Sequence, residues 1–318
     1  MTQYLIRRLL YIIPILLGAS IIIFALIRIA PGDIAVLIME GGGAGTASQE
    51  QIEKLRSELG LNKPIHQQYF DWIGHIIRLD MGRSLWTNRP IIEEIKNKYP
   101  ITMQMAVIAV LLSLIIAIPV GVLSAIYQDT WIDYVFRIFT VTGLAVPNFW
   151  MGILIILALV AWFQYTPPLG FAPFWVDPWK NFQQMVWPSV ALGYRLSAIV
   201  SRMTRSQMLE VLRQDYIRTA RAKGLKERVI VYRHALKNAL LPVVTITGVQ
   251  LGALLGGTVV TETVFNIPGM GRQLIEAINF RDYPMVEAIV LISALTFALL
   301  NLLVDVMYVW LDPRVKYT

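Results

Sequence analysis

The sequence predicts an all-α integral membrane protein: six transmembrane helices and one small helical lobe outside the bilayer, inserted after the first helix. Three observations carry that expectation. Of 318 residues, 56% are apolar and only 15% charged, against about a quarter charged in a typical soluble domain, and mean hydropathy is +0.57. The apolar residues gather into long, nearly uncharged runs of the size a bilayer core requires, roughly 20 residues. The formal charge of +7 is concentrated in one segment between two such runs. Cysteine is absent, which excludes disulfides and thiolate chemistry. The three histidines, His66, His75 and His234, are too scattered for a metal cluster, so no metal site is expected.

The spans follow in order. Residues 9–27 and 101–127 are uncharged, 135–163 carries only Arg137 near its start, 240–261 is uncharged, and 284–310 carries only Glu287 and Asp305 near its ends. The first run exceeds the 7–15 residues of a signal-peptide core and has no small-x-small site close behind it, so an uncleaved helix is expected. A weaker sixth run, 186–201, holds Arg195, which near a helix centre costs about 2.5–3.5 kcal/mol on insertion scales. Topology argues for it nonetheless. Residues 202–237 contain ten Lys or Arg and three Asp or Glu, a net +7, and positive loops stay in the cytoplasm. Only with 186–201 as a span does this segment lie inside together with Arg7, Arg8, Arg314 and Lys316. Six spans with both termini cytoplasmic are therefore expected.

Two pieces lie outside the spans. Between the first two runs, residues 28–100 hold nine basic and nine acidic residues. Gly41 to Gly45 read as a joint, and Ser48 with Gln51 has capping-box spacing. Ile52, Leu55 and Leu59 follow on one face, with Gly60 as a stop. Tyr69, Trp72, Ile73 and Ile76 form a second apolar stripe, suited to packing within the lobe or to a partner. The expected division is residues 1–100, first helix plus lobe, and 101–318, a five-helix core. The basic loop 202–239 reads as helix, Gly224 turn, helix. One face carries Leu209, Leu212, Tyr216 and Ala220; a second piece runs through Val229, Tyr232, Leu236 and Leu240. Orientation by charge alone, binding of anionic lipid and docking into a cytoplasmic partner are all compatible with that pattern.

Sequence signatures of catalysis are absent. There is no G-x-x-x-x-G-K-[ST], no H-E-x-x-H and no G-x-S-x-G, so neither a phosphate cradle nor these hydrolytic centres are present. Buried ionisable residues or inverted repeats, which an autonomous channel or secondary transporter would be expected to show, are not evident either. The pattern suits half of a pore driven by another subunit.

The run Met203 to Leu212, followed by Asp215-Tyr216-Ile217-Arg218-Thr219-Ala220-Arg221-Ala222-Lys223-Gly224 and by His234-Ala235-Leu236-Lys237-Asn238-Ala239-Leu240-Leu241-Pro242, closely resembles the inner-loop signature of ABC importer permeases of the dipeptide/oligopeptide/nickel group. Arg7-Arg8-Leu9, Ala30-Pro31-Gly32-Asp33, Thr261-Glu262-Thr263-Val264-Phe265 with Pro268-Gly269-Met270-Gly271, Arg281-Asp282-Tyr283-Pro284 and Asn301-Leu302-Leu303-Val304-Asp305 look like the same group, and the first span with its long lobe resembles the B-type, or first, permease. The wider superfamily's Glu-Ala-Ala triplet is Arg218-Thr219-Ala220 here, so an ion pair assigned to that Glu does not carry over.

The resemblance implies a type I ABC importer-like permease without a nucleotide site of its own, in a prokaryotic cytoplasmic membrane. Its implied partners are a second permease, two ABC ATPase subunits that bind ATP and Mg, and an extracytoplasmic substrate-binding protein; nucleic acid is not among them. Asp215, Tyr216, Arg218, Thr219, Ala220, Arg221, Ala222, Lys223, Gly224, His234 and Leu236 would form the coupling element, with Ala220 and Ala222 allowing close approach and Arg218, Arg221 and Lys223 meeting acidic groups. Gly248, Gly252, Gly256 and Gly257 have the spacing of tight helix packing, within the subunit or at a seam lining the passage. Arg195 and Asp305 either bias that passage for charged peptide termini or are satisfied by each other, water or another span. Peptides are the implied cargo; nickel, glutathione and oligosaccharide are alternatives for the same machine.

Overall fold

The computed structural model describes residues 2–29, 35–36, 48–58, 60–168 and 170–311. The expected Gly41–Gly45 joint, the Ala30-Pro31-Gly32-Asp33 motif, Leu59 and the tail with Arg314 and Lys316 lie outside the described residues, as does the side chain of Leu55. Described elements are helices: α1 Thr2–Ile29, α2 Gln49–Glu58, α3 Ile65–Ile77, α4 Ile91–Ile126, α5 Trp131–Ala145, α6 Asn148–Phe163, α7 Pro178–Leu212, α8 Asp215–Ala222, α9 Leu236–Val264, α10 Met270–Asn279 and α11 Tyr283–Leu311. A short turn Glu227–Val229 and a π-helical stretch Ile230–Ala235 lead into α9. The chain divides into two compact units, Met1–Ile101 with Arg272–Leu299, and Thr102–Gly271 with Leu300–Thr318.

In the first unit the lobe forms as its local chemistry dictates. The capping box closes reciprocally: Gln51 N donates to Ser48 Oγ at 3.3 Å and Ser48 N to Gln51 Oε1 at 3.1 Å. Gly60 ends α2 at φ +66°, with Leu61 N bonded to Arg56 O and Gly60 N to Ser57 O, the paired bonds of a Schellman cap. The α3 stripe packs on α1. Phe24 meets the Tyr69 ring edge-on at 5.4 Å and Trp72 at 5.7 Å, and Ser20 Oγ lies 2.9 Å from Tyr69 OH. Arg28 caps this contact, lying over Phe24 and pairing with Glu287 at 3.2 Å. Asp282, in the Arg281-Asp282-Tyr283-Pro284 motif, is buried and accepts from Ser84 Oγ and Leu85 N, while Trp86 stacks on Phe280.

The second unit is built around α7, against which α5, α6 and α9 pack. Small residues set the closest approaches. A Cβ on Gly193 would stand 2.8 Å from Ala109 O, one on Gly143 2.8 Å from Ala198 Cβ, and one on Gly121 2.7 Å from Ser201 O. At the far end of α9, buried Glu262 accepts from Thr102 Oγ1 at 2.6 Å, and Thr102 Oγ1 in turn accepts from Met270 N at 2.8 Å. Gly269 and Gly271 permit this tuck, since a Cβ on either would run into the Glu262 carboxyl or Val259 Cα.

Residues Ile6–Ile29, Ile91–Ile126, Glu227–Gly252 and Tyr283–Val306 are long and apolar enough to cross a membrane. The expected span 135–163 is the pair α5 and α6, bent by 111° at the break between them. The cause is Pro147. It pushes the residue before it out of the α region, and Val146 is extended at φ −82°, ψ 124°. The weak run 186–201 is the middle of α7, a 35-residue helix, which at 1.5 Å per residue is about 52 Å long.

Candidate functional site

The basic segment folds as a hairpin that opens with the break between α7 and α8. Helix α8 ends in a second Schellman cap: Leu225 N bonds Ala220 O, Gly224 N bonds Arg221 O, and Gly224 sits at φ +75°. That left-handed conformation is open to glycine at little cost, so the residue type and the turn explain each other. Across the turn Arg221 grips Glu227, Nε to Oε1 at 2.7 Å and Nη2 to Oε2 at 3.5 Å. Tyr216 braces the other side: its hydroxyl accepts from Asn238 Nδ2 at 2.8 Å and lies 3.5 Å from His234 O, which Asn238 also reaches. The π-helical stretch supplies that carbonyl, in keeping with π turns that occur at functional sites.

The buried face differs from the expected one. The helix breaks at Arg213 and Gln214, so Leu209, Leu212, Tyr216 and Ala220 do not share one face. Ile217 and Ala220 are the buried residues of α8. They enter an apolar cluster with Val122 and Ala125 from α4, Met208 from α7, and Ile230, Val231, Ala235 and Ala239; Leu236 packs against it. Ala220 is therefore spent on the chain's own packing and offers no close approach to a partner; Ala222 is exposed. Val229 and Tyr232 are also exposed, because the wider π turn rotates the face toward Ile230 and Val231. Asp215, Arg218, Thr219, Arg221 and Lys223 point to solvent, with Asp215 and Arg218 paired at 3.4 Å.

Sequence reasoning missed the residue beneath this hairpin. Asp133, fully buried, accepts from Arg205 Nε and Nη2 at 2.9 and 2.8 Å, from Arg137 at 2.7 Å, from Ser124 Oγ and from Asp129 N. One carboxylate thus ties α4, α5 and α7 together beside Ala125 and Met208. Arg205 lies within the inner-loop signature, but nothing local links it to a carboxylate 72 positions away.

The glycine and charged candidates scatter. Gly248 abuts the Val304 side chain of the same chain, which is packing within the subunit, and Gly252 is buried. The surroundings of Gly256 and Gly257 lie outside the described residues. Asp305 is half-buried on α11, and Arg195 is exposed on α7. Among the described residues there is no cluster of metal-ligating side chains.

Comparison with known proteins adds the following. The family model "Binding-protein-dependent transport system inner membrane component" matches residues 117–317, and its N-terminal companion model matches residues 1–106. The chain is 40% identical to the dipeptide transport system permease protein of Alkalihalophilus pseudofirmus and 37% identical to the glutathione transport system permease protein of Salmonella choleraesuis, each alignment covering both chains fully. A chain of the inward-facing methionine ABC transporter superposes with TM-score 0.58 at 17% identity, over 70% of this chain and 99% of that one.

Proposed function

The chain belongs to the family of binding-protein-dependent transport system inner membrane components, and on that premise we propose that it forms half of the translocation pathway of an ATP-driven importer of short peptides. The 40% identity to a dipeptide permease, held over the full length of both chains, supports the cargo assignment. Glutathione is the second reading, favoured by the 37% relative. The chain is a multi-pass membrane protein. We place it in a prokaryotic cytoplasmic membrane, with six spans, both termini inside and α7 as the fourth span. Positive charge supports this arrangement, because it brings the +7 segment to the cytoplasmic side.

The hairpin is the coupling element in this proposal. Apolar Ile217 and Ala220 fix it to the permease, while Arg218, Thr219, Ala222, Lys223 and Gly224 are presented outward, an arrangement suited to a groove on a separate ATPase subunit. Arg221 and Tyr216 hold the hairpin's shape. ATP and Mg belong to two such ATPase subunits, and a second permease completes the passage. An extracytoplasmic protein delivers the peptide to the side that carries the lobe. Functionally the chain divides at residue 100, between lobe and five-helix core. Closure of the ATPases on ATP then moves the hairpin as a lever, and the spans rock between inward and outward access.

Purification from detergent with neighbours identified, followed by uptake in proteoliposomes, tests the proposal. Recovery of a second permease and ATPases, with ATP-dependent peptide uptake, is expected. ATP-independent flux through this chain alone would refute it.

A further inference from the structure

We propose that Arg195 is a water-facing cation at the middle of the passage and that it receives the C-terminal carboxylate of the peptide. This rests on the functional reading above and on α7 as a span. Arg195 stands seventeen residues from either end of α7 (Pro178–Leu212), which is the middle of the bilayer if the helix crosses it. From residue 183 to residue 201, Arg195 is the one exposed side chain. Its helical neighbours Ala191, Leu192 and Ala198 are buried and apolar. Among the described residues its guanidinium has neither ion pair nor hydrogen bond.

An arginine at that depth does not face lipid, because the hydrocarbon offers its donors no partner. Intramembrane cations face a bundle interior or a water-filled cavity. A tight seam with another subunit would leave apolar side chains exposed beside the arginine, and α7 exposes none there. Past half-buried Ile199 its uncovered stripe continues instead to exposed Arg202 and Ser206, so the exposed side chains of the track leading to the hairpin end are polar. That track fits water better than a packed partner.

The chemistry of the cargo then identifies the ligand. Peptides of different sequence share little beyond backbone and charged termini. A guanidinium is always charged and matches a carboxylate with two parallel N–H···O bonds. One arginine therefore recognises the common end of many peptides without reading their side chains.

The test uses the assembled transporter in proteoliposomes with its binding protein. At limiting dipeptide, Arg195→Gln should lower uptake about tenfold or more, the scale of a lost charge-assisted hydrogen bond, while Arg195→Lys loses less. Assembly and ATPase stimulation by the binding protein should stay at wild-type levels. Because the chain has no cysteine, Arg195→Cys in cysteine-free partners gives a chemical rescue. An aminoethyl thiosulfonate reagent, which adds a positive charge, should restore uptake, and a sulfonatoethyl reagent should not. Unchanged uptake by Arg195→Gln would overturn the proposal. So would a thiol closed to both reagents, or loss of the second permease on Arg195→Gln, which would assign the arginine to a subunit contact. Absence of ATP-driven peptide uptake by the wild-type complex is a separate result that removes the functional reading itself.

Discussion

Replacing Gly224 should uncouple ATP hydrolysis from uptake in graded steps. The residue sits at φ +75° with nothing within 4 Å of the position a Cβ would take, so any penalty comes from the backbone and not from a clash. Alanine there costs roughly 1–2 kcal/mol, which lowers the population of the closed hairpin about 5–30-fold relative to open forms. Asparagine tolerates the left-handed region better and should lose less. Proline is locked near φ −65°, a swing of about 140° from the observed value. It also removes the Gly224 N–H bonded to Arg221 O at 2.9 Å and disfavours the near-helical Lys223 before it. Its cost, about 3 kcal/mol or more, leaves under about one hairpin in a hundred correctly closed if other forms compete evenly. The assay is peptide accumulated per ATP hydrolysed in proteoliposomes, with complex yield as control. The expected ratio falls in the order Gly, Asn, Ala, Pro, at similar yield because the turn is exposed. A wild-type ratio for Gly224→Pro, or equal effects of alanine and proline, would refute the reasoning.

Three further outcomes are expected. Asp133→Asn removes the carboxylate that Arg205 and Arg137 share; both arginines keep access to solvent and Arg137 retains Asp129 at 3.1 Å, so the second unit should lose about 1–3 kcal/mol, read as a lower melting temperature of the purified complex; an unchanged melt would show the carboxylate is dispensable. Gly248→Ala drives a methyl into Val304 and should cost about 1–3 kcal/mol by the same measurement, whereas a neutral result would mean that α9 and α11 separate freely there. In the lobe, the Lys63 ammonium beside Asp71, and the Gly82 N–H and His75 beside Asp80, hold both carboxyls below their ordinary range. A lowered folded pKa contributes stability that is complete above the unfolded value and fades as pH falls through the folded one. Protease resistance of the lobe should therefore be flat from pH 8 to about 5 and decline only below about 4; weakening already near pH 6 would contradict the assignment.

Local chemistry was readable from the sequence where it was self-contained. Ser48 with Gln51, Gly60 and Gly224 each announce a helix end, because cap and stop lie within a few residues of what they satisfy. Phase was harder. A two-residue break before Asp215 and a π turn after Val229 each rotate the buried face, so Ile217, Ile230 and Val231 replaced Tyr216, Val229 and Tyr232 in the apolar cluster. Regular 3.6-residue counting has no means to register either interruption. Pro147 was visible inside the run 135–163, yet hydropathy alone does not register the 111° bend it causes. Asp133 meeting Arg205, and Glu262 meeting Thr102 under Gly269, join distant positions, and only the packed helices bring them together.

The most direct test of the account places a single cysteine at the exposed Thr219 position. A membrane-impermeant thiol reagent should label it in inside-out vesicles and leave it untouched in intact cells, and a short cross-linker should join it to an ATPase subunit. Labelling from the outside of intact cells, or a cross-link only to the extracytoplasmic binding protein, would contradict the central claim that this hairpin grips the motor from within.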